Sequence, residues 1–270
     1  MENKLAFISV VYNNYSLLDD FFNSLNIQTN KNFKLFLSDT SEKKQEIKKQ
    51  SFSIETVNIK NFGYAHGLNQ GLRTALVHGF TNFCVINNDT YFEKDFVTNA
   101  LASLEKNPST LIGGKIYYAP DYEYHKKYSP AERGKVIWYA GGKNDWKNCL
   151  TEHIGVDQVD KGQFSQVMKT DFITGCLMLY DRKVLETVGY WDESYFLYYE
   201  DADYCERAKK ENLSLIYDPS IVIWHKNGQS TDGAGSKFHQ KYQKQNQLKF
   251  GLKYAPFKTK LHLIKNYFLK

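Results

Sequence analysis

The apolar run Leu5–Val11 stops abruptly at Tyr12-Asn13-Asn14 and is followed by an amphipathic stretch with Leu17, Leu18, Phe21, Phe22 and Leu25 on one helical face. That alternation repeats. Phe33–Leu37 reads as a second strand, Ile54–Ile59 as a third, Phe83–Ile86 as a fourth and Leu111–Tyr118 as a fifth. Between them, Glu42–Gln50 reads as a solvated lysine-rich helix, and Tyr64–His78 and Phe92–Glu105 as further helices. Apolar strands alternating with helices predict an α/β fold with a mostly parallel sheet covered on both faces. Residues 119–170 break the rhythm and predict loops with short antiparallel strands, Val136–Ala140 among them. Order returns with a strand at Phe172–Tyr180, a helix near Lys183–Thr187, a helix from about Asp201, and strands at Ser214–Tyr217 and Ile221–Trp224. Residues 237–252 read as a polar helix and 253–270 as a basic tail.

The chain has 270 residues, 42% hydrophobic and 24% charged, which suits one large α/β domain. We expect a single catalytic domain over 1–252, with a nucleotide-binding half at 1–118 and an acceptor half at 119–252, followed by the tail 253–270. A formal charge of +5, mostly interspersed with acids, argues against a nucleic-acid partner. Cys84, Cys149, Cys176 and Cys205 are scattered, so a disulfide framework or zinc site is not expected. No run approaches the ~18 apolar residues of a membrane span and no leader is visible, so a cytoplasmic location is expected. Twenty Tyr and eighteen Phe are more than such a core needs. Sugar-site lining and a coding bias both account for the excess, and both stay open.

Ligands of parallel α/β sheets bind at the carboxyl ends of strands. Three polar clusters fall there: Tyr12-Asn13-Asn14, Asp39, and Asn87-Asn88-Asp89. Each alone is readily a cap or a turn. Their shared sheet edge is what points to a site. The chain lacks GxGxxG after the first strand and lacks GxxxxGK[ST], which excludes the common dinucleotide and P-loop classes. Gly63, Gly67 and Gly71 recur every four residues, for close approach either to the sheet or to a nucleotide. Asn61-Phe62-Gly63 is the better candidate for touching ligand.

Gly189–Arg207, GYWDESYFLYYEDADYCER, is the most specific segment. Glu200, Asp201 and Asp203 follow an aromatic wall from Tyr190 to Tyr199. As caps and an Asp203–Arg207 ion pair they would be structural. As a carboxylate beside an aromatic surface, Asp201 suits removal of a proton from a sugar hydroxyl. His225, after Ile221–Trp224, ends another strand.

Taken in order, Val10–Asn13, Ser38–Ser41, Asn61–Ala65 with Asn69–Gly71, Asn87–Thr90, Thr174–Cys176, Phe196–Arg207 and Trp224–Lys226 resemble family 2 glycosyltransferases of the GT-A fold, close to the bacterial rhamnosyltransferase-like group. The resemblance covers roughly residues 5–230. It implies that Tyr12, Asn13 and Asp39 hold the nucleoside, with Asp39 on the base, and that Asn61, Gly63, Asn69, Asn88 and Asp89 lie along the donor. It implies Asp89 and His225 as ligands of Mn²⁺ or Mg²⁺ and Asp201 as the base of an inverting transfer with Glu200 beside it, while the aromatic wall beside the carboxylates itself suggests Trp191, Asp192, Tyr199 and Asp203 around the acceptor. Asn87 departs from the family's DxD pattern, where a carboxylate is usual, and this weakens the expected metal affinity. The implied partners are a dTDP- or UDP-sugar, carrying rhamnose or a hexose, and a saccharide or polyprenyl-diphosphate-linked acceptor in cell-surface polysaccharide synthesis. A sugar nucleotidyltransferase and a non-catalytic sugar-binding subunit are the competing readings. The tail places Phe257, Leu261, Ile264 and Phe268 on one helical stripe among Lys258, Lys260, Lys265 and Lys270, which predicts peripheral contact with the inner face of a membrane or docking on protein.

Overall fold

A computed structural model describes residues 4–123, 126–228 and 237–268. In chain order the elements are β1 (Leu5–Val11), α1 (Leu18–Asn26), β2 (Phe33–Asp39), β3 (Ile54–Asn58), α2 (Tyr64–Val77), β4 (Asn82–Ile86), β5 (Thr90–Tyr91), α3 (Phe96–Lys106) and β6 (Thr110–Tyr118). They continue as β7 (Ile137–Tyr139), β8 (Gly142–Asp145), β9 (Leu150–His153), β10 (Met168–Lys169), β11 (Leu177–Asp181), α4 (Arg182–Val188), α5 (Glu200–Lys210), β12 (Ser214–His225), α6 (Lys237–Tyr254) and α7 (Phe257–Phe268).

One sheet runs through both halves of the chain in the order β10-β12-β6-β11-β4-β1-β2-β3, with β5 paired to β12 and β7 to β6. Strands β4, β1, β2 and β3 are mutually parallel, and β6 and β12 are parallel to each other. The inserted β11 is antiparallel to both β4 and β6. The mixed α/β sandwich follows from the apolar strands. Every residue of β1 except Val10 is buried, and Ser9, the polar one, donates its hydroxyl to Ile86 O at 2.8 Å. Much of the aromatic excess is core: Phe7 packs against Phe33, Phe92 and Phe96, with ring centroids 5.5–5.9 Å apart.

Two of the glycines on α2 serve packing. A Cβ on Gly67 would stand 2.8 Å from a Val10 methyl, and one on Gly71 2.9 Å from a methyl of Ile8. Only bare backbone brings α2 this close to β1.

Several sequence expectations are corrected. Glu42–Gln50 is not helical. It has no apolar stripe to bury, and Lys44 and Lys48 would repel at i,i+4. Lys44 instead reaches the carbonyls of Asp39 at 2.5 Å and Ile59 at 3.0 Å. Helix α3 starts at Phe96, because Phe92 spends its N–H on the Ser24 hydroxyl. The strand expected from Phe172 begins at Leu177, whose N–H closes a turn onto Thr174 O. The two strands expected between Ser214 and Trp224 are one, interrupted by a bulge between Asp218 and Val222 that accommodates Pro219.

Candidate active site

The parallel register places the carboxyl ends of β1, β2 and β4 on one edge, with Val11 beside Asp39. There the two loop ends are knitted together. Asn13, at φ 58°, takes the Ser41 hydroxyl on its N–H at 2.8 Å and accepts from Glu42 N–H at 3.1 Å. Asp39 is fully buried and accepts from the Tyr15 hydroxyl at 2.6 Å and from Ser41 N–H at 2.9 Å. Tyr12, 42% exposed, stands at the rim.

Antiparallel pairing of β5 with β12 sets Thr90 opposite His225, which brings the preceding Asp89 to the imidazole. His225 Nε2 lies 3.2 Å from Asp89 Oδ1, and both side chains are buried. Burial opposes charge on His225, but Cys176 and the Asp89 carboxylate raise its pKa well above the ordinary value. Burial also pushes the Cys176 thiol up, which keeps it neutral, so we assign the effect on His225 to Asp89. The Trp138 ring packs edge-on against His225 at 4.6 Å, and His225 Nδ1 has no hydrogen-bond partner among the described residues.

Tyr64, near the start of α2, ties this edge to the carboxylates of α5. Its hydroxyl donates to Asn87 Oδ1 at 2.7 Å, with Gly175 O at 3.2 Å. Burial raises the phenol well above its usual pKa, and the negative charges of Asp89 and Asp201 add to the effect. Tyr64 thus joins the end of β4 to Gly175, the residue whose N–H reaches the α5 carboxylate Asp201. Asn87, at the position where the resemblance expects a carboxylate, spends its carbonyl on Tyr64. Asn88 is buried beside it.

Asp201 is anchored by backbone. Its Oδ2 accepts from Gly175 N–H at 2.9 Å and its Oδ1 from Ala202 N–H at 2.8 Å. Burial raises its pKa despite these bonds. Glu200 is raised well above the usual range, first by burial and then by the Asp201 charge. Its Oε2 is buried without a hydrogen-bond partner among the described residues. Of the pair, Glu200 is the more strongly raised and Asp201, held by two backbone amides, the more readily ionised.

Other expected residues have different surroundings. Asn69 is a buried bridge, donating to Trp191 O at 2.9 Å and Glu193 Oε1 at 2.8 Å and accepting from Trp191 N–H at 3.0 Å. Asn61 is exposed and caps Gly63 N–H at 3.0 Å. Three of the four residues expected around the acceptor are enclosed. Trp191 stacks on Tyr204 at 4.8 Å and donates to the Tyr180 hydroxyl. Tyr199 donates its hydroxyl to Cys149 O at 3.1 Å. Asp203, 0% exposed, receives Arg207, Lys253 and Tyr254 at 2.8, 2.6 and 2.8 Å, so the ion pair with Arg207 is its role here. Asp192 is half-buried and closes a turn onto Ser194 N–H at 3.0 Å. Tyr64 and Gly175 lay within motifs noted in the sequence, yet neither carried a signal of side-chain or amide function by itself. Trp138 carried none.

Asp89 and His225 fit a divalent cation: a hard oxygen and an imidazole whose Nε2 faces it, buried together, with the cation replacing the proton that Asp89 holds on the ring. No group of three or more ligating side chains occurs among the described residues. Such a cation would therefore take its remaining ligands from a diphosphate and water.

The family model for "Glycosyl transferase family 2" matches residues 6–189. The low-salt glycan biosynthesis hexosyltransferase Agl10 of Haloferax volcanii is 24% identical over 156 residues, 57% of this chain and 46% of that protein. The chain thus matches under half the length of this curated relative. Among solved structures, GalNAc-T7 with UDP, GalNAc and Mn²⁺ gives a TM-score of 0.62 at 12% identity, covering 82% of this chain and 43% of the other. The mannosyltransferase PcManGT from Pyrobaculum calidifontis, in complex with GDP-Man and Mn²⁺, gives 0.53 at 16% identity, covering 98% and 69%. At these identities the likeness establishes the GT-A fold.

Proposed function

This chain belongs to glycosyl transferase family 2, and we propose that it catalyses an inverting transfer from a nucleoside-diphosphate sugar with Asp201 as base. One observation carries the reading: the Tyr64 hydroxyl bonds Asn87, two residues before Asp89, and lies at Gly175 O, while Gly175 N–H is held by Asp201, so a diphosphate-end group and a proton acceptor share one sheet edge. The acceptor O–H proton passes to Asp201 as the oxygen forms its bond to the anomeric carbon. The bond from that carbon to the diphosphate breaks on the opposite face, and the electron pair leaves with the nucleoside diphosphate. Gly175 N–H and Ala202 N–H hold the Asp201 carboxylate still during this step. Its raised pKa brings it closer to a useful base than an exposed aspartate is. Burial and the Asp201 charge both oppose a second negative charge on Glu200. A cation held by Asp89 and His225, Mn²⁺ or Mg²⁺, would offset the charge developing on the diphosphate. Both metal-bearing neighbours contain Mn²⁺, which favours it.

For the donor, dTDP-rhamnose and UDP-hexoses come first, with Asp39 at the pyrimidine. The acceptor is a saccharide, free or lipid-linked, in cell-surface polysaccharide synthesis. Among the described residues no helix is long and apolar enough to cross a membrane. Helix α7 supports a peripheral contact. Its inner face docks through Leu263, seated over Gly251, and through Thr259, which donates to Trp146 O. Its outer face leaves Phe257, Leu261 and Ile264 exposed, at 74%, 53% and 39%. The side chain of Phe268, and Lys270 as a whole, lie outside the described residues. From Gly233 to Lys270 the sequence contains lysines but no aspartate or glutamate, which suits an anionic lipid surface.

A panel of dTDP-rhamnose, UDP-hexoses and GDP-mannose with Mn²⁺, read by release of the nucleoside diphosphate, tests the donor. Turnover is expected with a pyrimidine donor. Efficient use of GDP-mannose would overturn the assignment of Asp39.

A further inference from the structure

The backbone reaches Glu200 and Asp201 through a turn that its own residues do not favour. Tyr198 and Tyr199 both stand in the left-handed region, at φ 68° and 70°. Neither is Gly, Asn or Asp, the residues that visit it routinely, and successive tyrosines there are strained. Such a conformation persists only where its surroundings impose it.

Two neighbours impose it, from opposite sides. On one side is the start of α2. Tyr64 N–H donates to Phe196 O at 2.9 Å, and Gly63 admits that backbone, since a Cβ on it would stand 2.5 Å from the same oxygen. On the other side is the middle of α6. Asn246, 3% exposed, donates its Nδ2 to Leu197 O at 2.8 Å and to Tyr198 O at 3.1 Å. One amide thus satisfies two successive carbonyls of the strained turn. Ring contacts hold α6 in place for this: Phe196 stacks on Tyr242 at 5.0 Å, and Tyr199 packs on Phe250 at 5.4 Å.

We propose that Asn246 is a positioning residue for the transfer reaction, holding the Tyr198–Tyr199 turn so that Asp201 meets the Gly175 amide. Helix α6 lies beyond the residues 6–189 matched by the family model, so a segment outside the match completes the site. The inference rests on the reading of Asp201 as base. Without Asn246 the turn relaxes toward ordinary φ, and the first turn of α5 rotates Asp201 away from Gly175. The donor side, built on β1, β2 and β4, is not touched by this change.

The test is a double-mutant cycle of Asn246→Ala and Asp201→Asn, with turnover read as nucleoside diphosphate release from UDP-glucose or dTDP-rhamnose, whichever the enzyme uses. Asn246→Ala is expected to lower kcat about 10- to 100-fold with donor KM within twofold. In the Asp201→Asn background the same change should cost less than twofold, because the group it positions is gone. Gln247→Ala, which removes only a bond to Asn148 O at 2.9 Å on the same helix, should leave kcat unchanged. Wild-type kcat in Asn246→Ala, or an equal loss in both backgrounds, would overturn the proposal. Should the alanine variant fail to melt cooperatively, Asn246→Ser, which keeps one donor, takes its place in the same cycle. Wild-type activity of Asp201→Asn alone would instead overturn the base assignment.

Discussion

Asp201 Oδ2 accepts the N–H of Gly175 at 2.9 Å, so the carboxylate at the start of α5 is fastened to the loop that leads into β11. Strand β11 pairs directly with β4, whose end carries Asn87-Asn88-Asp89, and Asn87 N–H in turn donates to Cys176 O at 3.1 Å. The proposed base and the proposed metal ligand are therefore held by neighbouring strands of one sheet.

The Asp89–His225 pair predicts how the donor's diphosphate is held. Asp89→Ala should abolish Mn²⁺-dependent binding of UDP or dTDP in calorimetry, and His225→Ala should weaken it. Both variants should still fold, because the pair lies at strand ends. Full activity in excess chelator would contradict the assignment and leave lysine or arginine to stabilise the leaving group.

Burial raises both carboxyls of the pair, and this sets a pH dependence. The acid limb of kcat/KM should lie above the ~3.9 of an ordinary aspartate, with activity gained as pH rises through the raised pKa of Asp201. The stability effect has the opposite sign. A carboxyl raised by folding favours the folded state most below its unfolded pKa, and that advantage is lost as pH rises through the folded value. Asp201→Asn should therefore compare more favourably with wild type in thermal stability at pH 7 than at pH 4. Glu200→Gln, which imitates the protonated acid, should keep turnover within about tenfold. Melting curves and rate profiles at several pH values check these signs.

Asp203 makes a structural prediction. It is the shared acceptor for Arg207, Lys253 and Tyr254, joining α5 to α6. Asp203→Ala should destabilise the fold by about 1–3 kcal/mol, toward the lower end because Lys253 is reached by water. Denaturant unfolding reads this, and an acceptor-binding role would show instead as a raised acceptor KM in a fully stable variant.

For α7, flotation with anionic vesicles at low salt is expected for the full chain and lost in Phe257→Ser/Leu261→Ser. Each lysine near the surface contributes about 1 kcal/mol, so raising the salt should release the protein. Equal flotation of the two proteins would contradict the membrane reading.

Most strand positions and the polar strand ends were legible because both rest on short-range patterns: apolar runs, and asparagine and aspartate where they stop. The packing of Gly67 and Gly71 was legible only as one of two options, since the choice depends on Val10 and Ile8 across the layer. The acceptor assignments of Trp191, Tyr199 and Asp203 followed local composition. An aromatic wall beside carboxylates looks the same in sequence whether it faces a sugar or the helix α6. Asn246 left no mark, because a single asparagine in the run Lys237–Tyr254 is indistinguishable from its solvated neighbours until the fold brings it to the Tyr198 carbonyl. Left-handed φ at Tyr198 and Tyr199 was invisible for the same reason: no glycine announces it.

The central claim is that Asp201 takes the acceptor proton, and Asp201→Asn measures it most directly. The substitution keeps size and can keep one of the two bonds from Gly175 and Ala202, on its single amide oxygen, while removing the basic carboxylate. Donor binding, measured by calorimetry with UDP or dTDP and Mn²⁺, should stay within twofold of wild type, while turnover falls by about two to four orders of magnitude. Near-wild-type turnover in that variant would contradict the account.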